Sequence, residues 1–230
     1  MHSTHQSLEV PVSPRQRRSS ARRADRERRL IDAALSCVST LGLSATTVQA
    51  VAVRAGMANG SINQYFRSKD QLLTAVLHHL SHEFESTWQA ALSAAGTDPA
   101  ERLAAFVRAY FEPATCQRRK VAVWFAFWGE VKARPHYRSV CEAYDRRHDA
   151  MLEALCAALL EADADGARRP AALAKLVASV CYGLWLELLT GSREFDRVAL
   201  ASLAADALAS HFPAHAAAFR KLLAAKRHTQ

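Results

Sequence analysis

The chain lacks the sequence features of a secreted, membrane-spanning or strand-rich protein. Residues 1 to 23 contain no apolar segment of the ~7 residues that a secretory signal requires. No uninterrupted apolar run reaches the ~18 residues of a membrane span, so we expect no membrane partner and a cytoplasmic location. An alternating strand pattern and an internal repeat are also missing, and nearly everything after residue 70 has helical periodicity. The sequence therefore predicts an all-α fold.

Cofactor and redox chemistry have little support in the sequence. The chain has five cysteines, an odd number, and they are widely spaced without a paired metal-binding pattern. They are Cys37, Cys116, Cys141, Cys156 and Cys181. We interpret them as small buried hydrophobic residues. A glycine loop that could hold a phosphate group is absent as well, so no cofactor is expected.

Two groups of polar residues are weak candidates for catalysis. His78 and His82 lie one helical turn apart and could share a metal, but the His-Glu-x-x-His arrangement of metalloproteases is absent. Asp145 and Asp149 stand four residues apart beside arginines and a histidine, which favours a charged helix surface. A helical enzyme remains a remote alternative, and we assign no catalytic residue and no metal ligand.

The most informative segment is Thr46 to Leu73, which reads as two short helices, a glycine turn and the start of a third helix. Thr47 precedes apolar residues at helical spacing and is a suitable N-cap. Gly56 can take the left-handed conformation that ends the first helix. A second helix is expected over about residues 59 to 66, and Ser68 caps the next one. The pattern predicts a helix-turn-helix, whose second helix enters the DNA major groove.

Short polar side chains on the second helix could bond to base edges or phosphates. They are Ser61, Asn63 and Gln64. An ordinary helical hairpin is the alternative on pattern alone.

The segment resembles the DNA-binding domain of the TetR family of bacterial repressors over about residues 24 to 84. The matching residues are Thr46, Thr47, Ala52, Ala55, Gly56, Gly60, Tyr65, Phe66 and Lys69. The resemblance implies phosphate contacts from Thr47, Tyr65 and Lys69. It also implies a reading surface made of Asn59, Gly60, Ser61, Asn63 and Gln64. Met57 and Ala58 replace the usual Val and Ser or Thr, so we expect Asn59 to take over the capping role.

The charge distribution agrees with a nucleic-acid partner. Of the formal net charge of +8, residues 1 to 70 carry +6, from eleven Lys or Arg and five acidic residues. The arginines before the first helix could lie along phosphates or enter a minor groove. They are Arg15, Arg17, Arg18, Arg22, Arg23, Arg26, Arg28 and Arg29. A solvated tail is the alternative, and residues 1 to 23 are expected to form a disordered basic arm.

Residues 85 to 212 are expected to form a larger helical domain that binds a ligand and dimerises, with a tail over residues 213 to 230. Within it, residues 121 to 131 are apolar around the whole helix, which indicates burial. Trp124, Phe127 and Trp128 share one face. Another helix carries Tyr182, Trp185 and Glu187. Aromatic faces beside a carboxylate suit an organic cation, and core packing is the alternative.

This domain resembles that of choline-responsive repressors of BetI type, over about residues 118 to 212. The matching residues are Trp124 to Trp128, Pro135, Tyr137, Arg138, Gly183 to Leu186 and Gly191. Glu130 and Glu187 are not part of the pattern. The resemblance implies a homodimer built by the helices over 171 to 190 and 196 to 212, a near-palindromic double-stranded operator, and release by a small-molecule effector, for which it suggests choline or another organic cation. A polyamine, an aromatic acid, an acyl thioester and a drug are alternative effectors.

Overall fold

The computed structural model describes residues 14–162, 169–191 and 196–224, and within these ranges all regular structure is helical. This confirms the all-α prediction. The helices are α1 (Pro14–Ala45), α2 (Val48–Ala55), α3 (Asn59–Ile62), α4 (Lys69–Ala94), α5 (Pro99–Ala109), α6 (Arg118–Glu130), α7 (Pro135–Ala162), α8 (Pro170–Thr190), α9 (Arg197–His211) and α10 (Ala216–Ala224).

Capping residues define where the helices of the N-terminal domain begin and end. The Oγ1 atom of Thr47 accepts a hydrogen bond from Ala50 N at 3.1 Å, and Gly56 ends α2 with φ 64° in the left-handed region. Both predictions are confirmed. The Oγ atom of Ser68 caps α4 in the same way, by accepting from Gln71 N at 3.1 Å. Leu30 of α1 and Val51 of α2 are fully buried and join the helices in one core.

Helix α4 continues from the N-terminal domain into the larger domain. Its first turns pack against α1, and its later turns pack against α5 and α7. Helix α6 also packs against α1, so two helices of the larger domain contact the N-terminal one. A change in the position of α4 or α6 therefore has a direct mechanical path to the helix-turn-helix.

Three segments differ from the sequence predictions. Helix α1 begins at Pro14, so residues 14 to 23 are helical instead of disordered, and the rest of the predicted arm lies outside the described residues. Helix α3 ends at Ile62 because the chain tightens there into a turn, with Tyr65 N donating to Ile62 O at 2.8 Å. The predicted tail contains α10, which packs on α9 and α5.

Helix α8 is the one described helix that is long and apolar enough to cross a membrane by length and composition. One such helix is weak evidence for a membrane span, because the core helix of a soluble protein can have the same length and composition. Its exposed apolar side chains include Leu176 and Leu186, and Leu203 of α9 is exposed too. These are the two helices for which the sequence predicts a dimer interface.

Candidate DNA interface and effector site

The side chains expected to read DNA lie on an open surface. Gly60, Asn63 and Gln64 are exposed and Ser61 is half-buried. A Cβ atom added at Gly60 would meet nothing within 4 Å, so the protein's own packing does not require glycine there. The requirement would have to come from a partner that approaches the backbone closely.

The expected capping role of Asn59 is wrong. Ala58 is the N-cap of α3 and makes no side-chain cap hydrogen bond, and Asn59 is the first residue of the helix itself. No side chain caps this short helix, and Ser61 N donates to Ala58 O at 2.9 Å.

Lys69 and Tyr65, two of the residues expected to contact phosphates, each contact a neighbouring part of the protein. Lys69 Nζ donates to Ser44 O at 2.8 Å, which places its ammonium group at the C-terminal end of α1, just before α2. The Tyr65 ring lies 5.3 Å from the guanidinium carbon of Arg23, and Arg23 Nη2 donates to Gln64 O at 3.2 Å. The sequence showed the arginine run but gave no sign that one of its members stacks on the end of the reading segment.

Five rings in the larger domain form a closed circuit. Trp124 and Trp128 of α6 lie 5.7 Å apart, and Trp128 meets Tyr182 of α8 at 5.0 Å. Tyr182 lies 6.3 Å from His148 of α7, His148 lies 5.7 Å from Tyr144, and Tyr144 lies 5.9 Å from Trp124. We call these five residues the aromatic circuit. Centroid distances of 5.0 to 6.3 Å are those of rings in contact with one another.

The other sequence candidates for this site lie outside the circuit. Phe127 is fully buried on a different side of α6, where its ring meets Tyr137 at 5.0 Å. Trp185 contacts the circuit without belonging to it. Its ring lies 6.0 Å from the Tyr182 ring, and its indole N–H donates to Tyr110 O at 3.0 Å. Glu187 is exposed on α8.

A hydrogen-bond chain runs from the buried Tyr110 through His148 of the circuit to the exposed Lys175. Tyr110 Oη lies 2.5 Å from His148 Nε2, and His148 Nδ1 lies 3.1 Å from Asp149 Oδ1. Lys175 Nζ completes the chain, 3.5 Å from Asp149 Oδ2. Burial lowers the pKa of His148, although Asp149 opposes that shift, so the ring is neutral at pH 7. His148 therefore adds a neutral aromatic face and no positive charge.

Two carboxylates of α7 supply negative charge at the circuit. Burial and both carboxylates, Asp145 and Asp149, raise the pKa of Tyr182, and Asp149 also bonds the His148 ring. Asp145 is an exposed residue, yet the protein around its carboxyl group and the neighbouring Asp149 raise its pKa to about 6. The exposure of Asp145 agrees with the charged helix surface that the sequence predicts, and the nearby Tyr182 was not part of that prediction.

The aromatic circuit also contains an unsatisfied polar atom. Tyr144 Oη is buried and makes no hydrogen bond of normal geometry among the described residues. Burial raises the pKa of Tyr144, and the indole of Trp88, a neighbouring hydrogen-bond donor, opposes that shift. The aromatic faces and the nearby carboxylates suit a small organic cation.

Comparison with known families gives a match to each domain. Residues 30–76 match the family described as bacterial regulatory proteins of the tetR family. Residues 99–213 match the family described as the C-terminal domain of BetI-type transcriptional repressors.

Individual relatives of the chain are regulators of the same BetI type. The HTH-type transcriptional regulator BetI of Paraburkholderia xenovorans is 33% identical over 181 residues, covering 79% of this chain and 90% of the relative. The Serratia proteamaculans BetI is 29% identical over 191 residues, covering 83% of this chain and 94% of its own.

Solved structures show the same fold. A transcriptional regulator from Pseudomonas aeruginosa PAO1 superposes with a TM-score of 0.74 at 22% identity, covering 86% of this chain and 95% of its own. A regulator from Saccharomonospora viridis, solved in complex with choline, has a TM-score of 0.66 at 20% identity, covering 84% and 95%.

Proposed function

Because the chain belongs to the TetR family of transcriptional regulators and has a BetI-type C-terminal domain, we propose that it is a cytoplasmic repressor released from its operator by choline. Family membership makes the chain a DNA-binding regulator and removes the enzyme alternative. The proposal adds the identity of the effector, the loss of operator affinity when it binds, and the residues that bind the effector and the DNA.

The single observation that carries the choline proposal is the aromatic circuit with its two carboxylates. A quaternary ammonium cannot donate a hydrogen bond, so its recognition depends on aromatic faces and nearby negative charge. Trp124, Trp128 and Tyr182 contribute faces, and Asp145 and Asp149 contribute charge. The choline complex of the Saccharomonospora viridis regulator and the names of the BetI relatives support the same ligand class.

The ligand set differs from the one the sequence suggested. We leave out Phe127 because its ring packs against Tyr137, and Glu187 because it is exposed. Trp185 becomes a supporting residue whose hydrogen bond to Tyr110 O holds the wall of the circuit. Tyr144 and His148 enter the site in their place.

On the DNA side, we propose that Gly60, Ser61, Asn63 and Gln64 form the reading surface, together with Asn59 at the start of α3. Thr47, Tyr65 and Lys69 are proposed to contact phosphates. Lys69 suits this role because only one of its three N–H donors is used by Ser44 O. A dimer through α8 and α9 would cover the exposed Leu176 and Leu203 and present two such surfaces to a near-palindromic operator.

The proposal is tested by fluorescence anisotropy of labelled DNA from upstream of the protein's own gene, titrated with protein at fixed salt. The titration is run without ligand, with choline, and with 3,3-dimethylbutan-1-ol, which has the shape of choline but no charge. Tight binding that choline weakens and the neutral alcohol does not is the expected result. Equal weakening by both compounds would reject the cation site. Tight binding that choline leaves unchanged would reject choline and turn the search to polyamines, aromatic acids, acyl thioesters and drugs.

A further inference from the structure

The N-terminal half of α1 carries a line of arginines on one face. Arg15, Arg18, Arg22, Arg26 and Arg29 follow one another at spacings of three or four residues, which places them on the same side of the helix. All five are exposed, and Asp25 is the one acidic residue beside the line, three residues after Arg22 and four before Arg29. We call this set the arginine line. It lies ahead of residues 30–76, the part of the chain that matches the tetR family.

The arginine line continues the buried face of the same helix. Ala33 and Cys37 stand four and eight residues after Arg29, so they extend the line, and both are buried in the N-terminal domain. Leu30, Ala34 and Val38 are buried on the neighbouring side of α1, so the arginine line borders the face that packs against the domain. The line therefore runs along the edge of the domain's packed surface.

Two contacts hold this part of α1 beside the helix-turn-helix, one made by Arg29 of the line and one by Arg23 on the adjoining side of the helix. Arg29 Nη2 donates to Ala55 O at 2.9 Å, at the end of α2. Further along, Arg23 Nη2 donates to Gln64 O at 3.2 Å, and its guanidinium group lies over the Tyr65 ring. This part of α1 is thus tied to both elements of the DNA-reading unit, and the arginine line runs past them.

A helix with this charge pattern is unfavourable without a counter-charge. Like charges three or four residues apart destabilise a helix, and the first turn of α1 contains no acidic residue to offset the helix dipole. A helical segment of this length is also marginal in water when it is not packed. A polyanion along the arginine line would remove the repulsion and hold the helix in place.

We infer that residues 15 to 29 of α1 are a second DNA-contacting element, which lies along phosphates that flank the bases read from α3. The inference rests on the proposed operator binding. A helix covering these positions is about 21 Å long, so it reaches about six base pairs beyond the reading helix. Because it contacts phosphates, it raises affinity and salt dependence without adding base specificity.

The test compares three proteins in the full-length chain. The first is the wild type, and the second carries Arg15→Gln, Arg18→Gln and Arg22→Gln. The third carries Arg118→Gln, Arg119→Gln and Arg146→Gln, which removes the same charge from exposed positions of the larger domain. Gln matches Arg in helix propensity, and circular dichroism checks that helix content is kept.

Each protein is titrated at several salt concentrations into two duplexes, the operator core defined by footprinting and the same core extended by about six base pairs on each side. On the extended duplex, the slope of log K against log salt should fall by about 2.7 per protomer in the α1 variant, at ~0.9 per phosphate contact. The control variant should match the wild type, and on the core duplex all three should agree closely.

The outcomes separate this inference from the proposed function. An α1 variant that matches the control on the extended duplex, while the wild type binds the core tightly, overturns the second contact element and leaves operator binding intact. An equal loss on both duplexes overturns it as well, because that pattern indicates a general charge effect. A wild-type protein that binds neither duplex would overturn the proposed function and this inference together.

Discussion

Arg134 Nη1 lies 3.2 Å from Asp70 Oδ1, and this ion pair joins the turn before α7 to the first turn of α4. The same guanidinium group binds Glu130 at the end of α6, with 3.2 Å between Arg134 Nε and Glu130 Oε2. Helix α6 carries Trp128 of the aromatic circuit, and α4 begins at Lys69 on the proposed DNA surface. One side chain thus connects the proposed effector site with the helix that leads to DNA, and Glu130 belongs to this link.

Replacing Arg134 should weaken communication between the two sites without unfolding the protein. The ion pairs are partly exposed, with side-chain exposures of 37% for Arg134 and 53% for Asp70, so each contributes only about 0–1 kcal/mol. We expect Arg134→Gln to reduce the effect of saturating choline on operator Kd by up to about fivefold. Anisotropy titrations with and without choline measure this effect. Arg138→Gln is the control, because its pair with Glu142 is longer, at 3.9 Å, and stays within α7.

An unchanged choline effect in Arg134→Gln would show that the coupling takes another route. The packing of α6 against α1 is the obvious one, since it needs no ion pair. A similar loss in Arg138→Gln would instead indicate a general effect of surface charge.

Trp128→Leu should weaken choline binding, whereas Phe127→Leu should not. Trp128 closes the aromatic circuit against Tyr182, and a desolvated cation–π contact is worth about 2 kcal/mol, or roughly thirtyfold in Kd. Phe127 is more deeply buried but faces Tyr137, so its replacement should lower stability and leave choline affinity nearly unchanged. Isothermal titration with choline and thermal melting distinguish the two effects. Equal losses of choline affinity would favour the single aromatic face of α6 that the sequence suggested.

The sequence predicts well what depends on neighbours along the chain. Thr47, Gly56 and Ser68 act on helix ends within a few residues of themselves, and their positions are as expected. Helix α4 begins at Lys69, directly after the predicted Ser68 cap, for the same reason.

Contacts between distant segments were harder to predict. Helix α6 is buried around much of its circumference, so residues of one apolar face divide between two sets of neighbours. Trp128 turns to Tyr182, while Phe127 turns to Tyr137. Tyr144 and His148 had no local pattern that linked them to the tryptophans. Their role depends on how α7 packs, which a pattern of spacings does not specify.

The choline affinity should depend on pH through Asp145. Its pKa is raised to about 6 by burial and by Asp149, so the carboxylate that attracts a cation forms only as the pH rises through that value. Choline affinity should therefore increase between about pH 5 and 7. Asp145→Asn should flatten this part of the profile and lower the affinity at pH 7.5. Lys175 and Glu142 also influence this carboxyl group, so the comparison is made between the two proteins at each pH.

The raised pKa of Asp145 should also make the stability of the ligand-free protein depend on pH. Its pKa in the folded protein is higher than the ordinary aspartate pKa of 3.8, so the folded state binds a proton more tightly than the unfolded state. The contribution of Asp145 to stability should rise as the pH falls from about 6 toward 4. Thermal melting of the wild type and of Asp145→Asn should converge over this range. Parallel pH profiles would contradict the raised pKa.

The C-terminal helix should be part of the folded domain, although the sequence suggested a tail. Phe219 of α10 is fully buried, its ring lies 6.1 Å from that of Phe212, and Arg220 Nε bonds Asp206 Oδ1 of α9 at 2.9 Å. Removing a buried phenylalanine side chain costs about 3–5 kcal/mol, so Phe219→Ala should shift urea unfolding strongly.

Lys221→Ala is the matched control for this helix. Lys221 is exposed, so its replacement should change stability by no more than about 0.5 kcal/mol. Both variants must be measured at one protein concentration, because dimer formation makes the midpoint depend on concentration. A free tail would give the same midpoint for Phe219→Ala and Lys221→Ala, since an unpacked ring loses no contacts on truncation. A large shift for Phe219→Ala alone would show that packing on α5 and α9 holds the helix to the domain, as its burial indicates.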